Sequence, residues 1–403
     1  MKHILESRRL VVVILSIVTL IWVSCAHQDK RTAEVAHLKG PMRGLAVTIK
    51  SLLPKVTSYG QFTNSKNRDF INTRLKTLRN LSEEIQMEVS KEGQDPGMEA
   101  VVRDFQTDLR QASLDFSVGN YSKARWRVLN ITSSCNTCHS RSSNDYGLSP
   151  IKWNIDYSTL NPSESIELML AIKEYEKAFQ FIGKTMQTCK SPFVEGLFIS
   201  LKKSLAVSVR VLRNYDVSKK LLEQGISSRC FSKTQRKFLG SWKKSLSILD
   251  RYSMTYKQVY KKGQNLSQRS NELSFIYDLE GSARIHRYLN RFNRGVEYAE
   301  SLYYAGIYAK RLSSISHGPL DHAYFESCIR HQPNSLIARK CYRKIASSYK
   351  ERGLLNQSIY ANHLNFLWKQ SKEIKKPLHE EFKEKEEVED EIRELLRIYT
   401  DEI

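Results

Sequence analysis

Residues 124–141 read ARWRVLNITSSCNTCHSR. Within them Ala124, Val128, Ile131, Cys135 and Cys138 recur every three or four positions, the period of one apolar stripe on an α-helix. Both cysteines continue the stripe, so whatever they do is done on the core-facing side of a helix. Working backward, three more stretches repeat in the same way. Leu38, Met42, Leu45, Ile49 and Leu52 mark the first; Ile71, Leu75, Leu78, Leu81 and Ile85 the second. The third follows the turn signal GQDPG and carries Met98, Val101, Phe105, Leu109, Ala112 and Phe116. Charged residues fill the opposite faces. Four helices of this length on short loops predict an antiparallel bundle over residues 34–145.

Working forward, residues 146–162 belong to a Ser-, Asn-, Gly- and Pro-rich linker that ends in the helix-start signal of Ser163 and Glu164. Beyond it the chain repeats itself. KKSL occurs at Lys202–Leu205 and at Lys243–Leu246, 41 residues apart, and Cys189 and Cys230 share that offset. Tyr175 and Tyr215 are 40 apart. A period near 40 with unbroken helical pattern predicts stacked helix pairs, an α-solenoid, over residues 163–375. The stretch KEYEKAFQFIGKTM resembles the second half of a tetratricopeptide unit, and GLLNQSIYANHL does so more weakly; the resemblance implies a TPR-like repeat. The Tyr-rich AESLYYAGIYAKRL reads as solenoid core. Residues 376–403 read as a charged C-terminal helix. The expected fold class is all-α, a four-helix bundle followed by a TPR-like helical-repeat domain.

Cys135-Asn136-Thr137-Cys138-His139 matches C-x-x-C-H, the attachment pattern of c-type haem. The spacing has a chemical reason. Two thiols on adjacent helical turns reach two haem vinyl groups as thioethers, and the next residue brings an imidazole to the iron. Composition alone gives roughly 0.003 such matches in a chain of this make-up. A tetrahedral zinc site on the same residues needs one or two further ligands, and only the distant His37 lies within the bundle. A redox C-x-x-C normally follows a strand, and nothing here reads as one. Haem c, one and covalent, is therefore favoured over zinc or a Cys135–Cys138 disulfide, and all three remain chemically open. His317, His322 and His331 cluster without metal-ligand spacing.

The motif closes the fourth helix of a four-helix unit, and in this residues 34–145 resemble the cytochrome c′ (class II cytochrome c) family. The resemblance implies haem at the C-terminal end of the last helix, held by Cys135 and Cys138, with His139 as proximal iron ligand. It also implies that the sixth position faces the first helix. Met42 falls at the corresponding place; the alternatives are an open position or His37. A methionine suits electron transfer, whereas an open iron binds NO, CO or oxygen.

The first residues, MKHILESRRLVVVILSIVTLIWVSC, combine Lys2, Arg8 and Arg9 with the apolar run Leu10–Val23. That run is shorter than the roughly 20 residues of a spanning helix and fits an export signal over residues 1–24. Ser24–Cys25 resembles the lipobox of bacterial lipoproteins. This implies lipidation at Cys25, a tether over residues 25–33, and a place on the periplasmic side of the cell envelope, at the outer membrane rather than the inner. Outside the cytosol thiols tend to be oxidised. The four remaining cysteines then suit two disulfides. Cys328 and Cys341 flank the turn at Pro333-Asn334 almost symmetrically; Cys189 and Cys230 hold equivalent repeat positions, though facing helices would have to tilt to bring them together.

The formal charge is +21. It is concentrated before the tail: residues 25–379 hold about +26, while Glu380 onward carries eleven acidic and four basic side chains. Export argues against a nucleic-acid partner and for anionic headgroups, acidic wall polymers or an acidic redox protein. No paired acid/base set, nucleophile triad or second haem motif is present, so an enzyme is not expected. The expectation is a lipid-anchored monohaem cytochrome that transfers electrons. Its repeat domain would dock a redox partner or other protein client, and its lipid anchor would hold it to the membrane. The alternative is a haem-containing scaffold or a gas-binding sensor.

Overall fold

The computed structural model describes residues 38, 40–91, 95–139, 155–189, 196–252, 254–290, 296–316, 320–333 and 335–352. Cys25, His37, His317, the stretch GLLNQSIYANHL and the tail from 376 onward lie outside the described residues. Those described form an all-α protein with no strand among them.

Four long helices come first: α1 (residues 40–57), α3 (Arg68–Val89), α4 (Pro96–Ser117) and α5 (Tyr121–His139). A short α2 (Tyr59–Thr63) and a 3₁₀ turn lie between α1 and α3, an element the periodicity gives no hint of. Their apolar stripes meet in one core of Leu52, Val56, Ile71, Leu75, Phe105 and Leu109, with Ala124, Val128 and Ile131 from α5. The predicted stripes of α3 and α4 are buried except for the half-buried Leu81. In that of α1 only Leu52 is fully covered, and Leu38, Met42, Leu45 and Ile49 are partly buried, as Cys135 is in α5. Helix α4 starts where the turn signal says it should. Asp95 caps it by accepting from the Gly97 amide at 3.0 Å, and Pro96 sits where no intrahelical N–H is needed.

The next helix, α6 (Pro162–Ala171), begins one residue before the expected Ser163. Its cap is Asn161, which accepts from the Glu164 amide at 2.9 Å while the Glu164 carboxylate accepts from the Asn161 amide at 3.1 Å. This reciprocal box uses Glu164 as the sequence reading did, with Asn161 in the role given to Ser163.

Helices α7 (Tyr175–Thr188) and α8 (Leu197–Ala206) form one pair, α9 (Tyr215–Ser227) and α10 (Lys233–Arg251) the next. Tyr175 and Tyr215 each open the first helix of a pair, so the offset of 40 is a structural offset too. Cys189 immediately follows α7, and Cys230 lies in the loop between α9 and α10. The two are bridged, with Cα atoms 5.6 Å apart. Because both stand beyond helix ends, the bridge needs no tilting of packed helices. Cys328 and Cys341 are bridged as well, at a Cα separation of 6.5 Å, across the hairpin of α14 (Leu320–His331) and α15 (Leu336–Arg352).

Between these pairs lie α11 (Tyr256–Ser267), α12 (Asn271–Leu289) and α13 (Val296–Arg311). The Tyr-rich segment is α13, and Leu302, Ala305 and Tyr308 are in the core. Helix α12 is buried on nearly every side, and several of its polar side chains are paired: Ser274 donates to Asp278, and Glu280 accepts from Tyr215 and pairs with Arg284. Arg210, in a π turn that extends α8, approaches His286 Nδ1 at 3.1 Å, and Tyr324 Oη lies 3.1 Å from His286 Nε2. A guanidinium only donates, so Nδ1 accepts and a neutral His286 carries its proton on Nε2.

One feature joins the two halves. A second core combines Ile85, Val89, Met98 and Val101 of α3 and α4, and Cys138 of α5, with Ile285, Leu302, Tyr324 and Cys341 of α12–α15. The bundle and the later helices therefore share apolar interior at the end where the cysteine motif sits.

Candidate haem-attachment site

The motif is the last turn of α5, and three contacts fix that helix. Arg125 donates from Nε to the Val56 carbonyl at 2.7 Å and from Nη2 to the Thr57 carbonyl at 2.9 Å, satisfying two terminal carbonyls at the buried C-terminal end of α1. Arg127 pairs with Asp115 of α4 at 2.9 Å and with Asp108 at 3.4 Å. Lys203 of α8 donates to Ser133 Oγ at 3.3 Å and to the Glu167 carboxylate of α6 at 2.7 Å. The KKSL repeat thus serves two purposes. In its first copy both lysines are buried in ion pairs, Lys202 with Glu272 and Lys203 with Glu167. In the second copy Lys244 points to solvent.

Cys135, Cys138 and His139 are spaced i, i+3 and i+4, so they share one face of α5. Cys135 is half-buried and packs on the bundle core. Burial, and after it the neighbouring Cys138, push its thiol up to about 12. Cys138 is buried in the shared core, its Sγ 3.0 Å from Met98 Sδ at the start of α4. No disulfide joins the two cysteines. The opposite side of the turn is covered as well: Ser134, Asn136 and Thr137 are all buried, and Thr137 Oγ1 donates back to the Ser133 carbonyl at 2.9 Å. The residues that follow, 140–154, lie outside the described ones.

Met42 of α1 is partly buried and packs on the same apolar cluster as Cys138, together with Leu38 and Leu45. Met98, which the sequence reading assigned only to the stripe of α4, is the methionine in contact with the motif. The signal was available: in an antiparallel α4–α5 pair the first apolar residue of α4 stands beside the last turn of α5. His331 packs edge-on against Tyr298, ring centroids 4.7 Å apart. No group of three or more His, Cys, Asp or Glu among the described residues is arranged to hold a metal ion.

The donor set nevertheless fits a haem, which takes one imidazole rather than a cage of ligands. Two thiols one turn apart, outside any disulfide, match two vinyl groups, and an imidazole follows on the same face. Apolar side chains from α3, α4 and α12–α15 offer a ring the low-polarity surroundings it needs.

The chain matches no protein-family model, no curated protein and no solved structure.

Proposed function

We propose that this chain is a lipid-anchored monohaem c-type cytochrome of the periplasmic side of the envelope, acting in electron transfer. The observation that carries the reading is the placement of Cys135, Cys138 and His139 on one face of a helix end embedded in apolar core. Cys135 and Cys138 would hold the ring as thioethers, and His139 would ligate the iron. Bound there, haem c supplies one-electron redox chemistry. The chain's own part is to keep water from the ring with the shared core and to fix the turn through Arg125, Arg127 and Lys203. Burial on both sides of the turn favours a small reorganisation on electron transfer, since little solvent must move.

Met42 is the proposed distal ligand, in keeping with its place in the Cys138 cluster. The helix pairs α7–α8 and α9–α10, repeating with the Tyr175/Tyr215 and Cys189/Cys230 offsets, support a TPR-like surface for a redox partner or client. Cys25 is the proposed lipid site.

Co-expression with a haem-ligation system, followed by a reduced-minus-oxidised spectrum, tests the reading. A c-type α band that disappears in Cys135→Ser/Cys138→Ser is expected, and its absence from the wild-type chain overturns the proposal. Adding CO to the reduced protein then separates the two roles. No Soret shift, with a shift appearing in Met42→Ala, supports methionine ligation. A shift in the wild type supports the gas-binding alternative and removes Met42.

A further inference from the structure

Residues 229–269 hold eleven Lys or Arg and a single acidic residue, Asp250. Helix α10 sorts these charges by face. Leu239, Trp242, Leu246 and Leu249 are buried on one side. On the other, Lys233, Lys237, Lys244 and Arg251 are exposed. At 100° per residue these four fall within about 40° of one another, a straight row about 27 Å long. None of them has a carboxylate partner among the described residues, and Asp250 is taken by Lys219 at 2.6 Å. Gly240 lies in the same row, and a Cβ added there meets nothing within 4 Å, so the middle of the row is open. Just past the row Tyr252 is 54% exposed. On α11, which packs on α12 as α10 does, Lys261 and Lys262 are exposed with no acidic residue in the helix, and Arg269 is exposed just beyond its end.

We infer that the outward face of α10, continued by Tyr252 and α11, is a docking surface for the anionic phospholipid headgroups of a membrane. A straight, one-signed row complements a plane of negative charge, and a tyrosine at its end has the amphipathic ring that settles at headgroup depth. A protein partner is a poorer match. Protein interfaces take their affinity from buried apolar and aromatic anchors, and among the described residues from Lys233 to Ser267 the one large exposed apolar side chain is Tyr252, between the two helices. The contact would lay the body on the bilayer instead of leaving it to swing on a tether.

The test uses the chain from residue 25 with Cys25→Ser, so that no acyl chain inserts. It is sedimented with phosphatidylcholine vesicles, alone or mixed with phosphatidylglycerol. Sedimentation with the mixed vesicles only, weakening as salt shortens the Debye length, is expected. Lys237→Gln/Lys244→Gln should lower partitioning about 25-fold, a factor of about five for each side chain near the surface. Lys50→Gln/Lys76→Gln, equal in charge change and exposed on α1 and α3, should stay within about twofold of the parent. Equal binding to neutral vesicles, or an equal loss in the two variants, overturns the inference. So does failure to bind any vesicle alongside row-dependent binding of an acidic protein. The vesicle readout contains no haem signal, so its outcome and that of the spectra are separable.

Discussion

At the scale of single residues, the sulfur pair at the motif and one buried carboxylate make the sharpest statements. Met98 is nearly buried and touches Cys138, whereas Met42 is only partly buried. Met98→Ala should therefore cost about 2–4 kcal/mol in urea unfolding of the haem-free chain, and Met42→Ala distinctly less. A larger loss at Met42 would contradict this packing. Burial, and after it Cys138, push the Cys135 thiol up to about 12. Thiolate is the reactive form, so alkylation of Cys135 at pH 8 should run at least about tenfold slower in the folded chain than in urea. Equal rates would place the thiol in solvent. Asp278 lies deep in α12 with Ser274 and Arg311, the latter at 3.1 Å. Desolvation outweighs both partners and lifts its carboxyl to about 6 from an ordinary 3.8. The native state then binds the extra proton between those values, so this group's contribution to stability falls as pH rises from about 4 to 6. Asp278→Asn should flatten the stability profile in that window, whatever it does to absolute stability. An unchanged slope would show that Asp278 is ionised throughout.

At the scale of elements, two cross-links and two close approaches hold the later helices. Cys328–Cys341 closes a 13-residue separation and Cys189–Cys230 one of 41. The chain-entropy relation gives about 3 and about 4 kcal/mol for loops of those lengths. Cys189→Ser/Cys230→Ser should thus lower the denaturation midpoint more than Cys328→Ser/Cys341→Ser; the reverse order would mean that native packing outweighs loop entropy here. Gly281 of α12 faces the Tyr308 hydroxyl and Gly306 of α13 faces the Phe325 ring, each so close that an added Cβ would overlap it. Gly281→Ala should destabilise by about 1–3 kcal/mol, and Tyr308→Phe in that background should recover part of it. Much of this was legible in the chain. The stripes of α1, α3, α4 and α5 have a clean helical period, and the hairpin cysteines flank a proline turn. The Cys189–Cys230 offset was also readable, but its geometry was not, because periodicity does not say that both residues stand just outside their helices. Glu164 announced the start of α6 correctly while its cap, Asn161, was passed over for a serine two residues on.

At the scale of the whole molecule, the cysteine motif is not confined to the bundle that carries it. Cys138 shares its core with α12–α15, and Lys203 of the repeat region reaches Ser133 just before the motif. Sequence reasoning found the motif because three reactive residue types at fixed spacing are rare. It assigned Met42 to the site through a family resemblance and left Met98 on the α4 stripe without its contact to Cys138, since long-range packing between helices leaves no local pattern. It gave no sign that Asn136 and Thr137, off the apolar stripe of α5, would be buried. The claim on which the rest stands is covalent haem at Cys135 and Cys138. The most direct measurement is the intact mass of the chain purified from a cell with its own haem-ligation machinery, beside the Cys135→Ser/Cys138→Ser variant. One haem added to the wild type and none to the variant is the predicted result. A wild-type mass without the macrocycle, with both thiols open to alkylation after unfolding, would contradict the account.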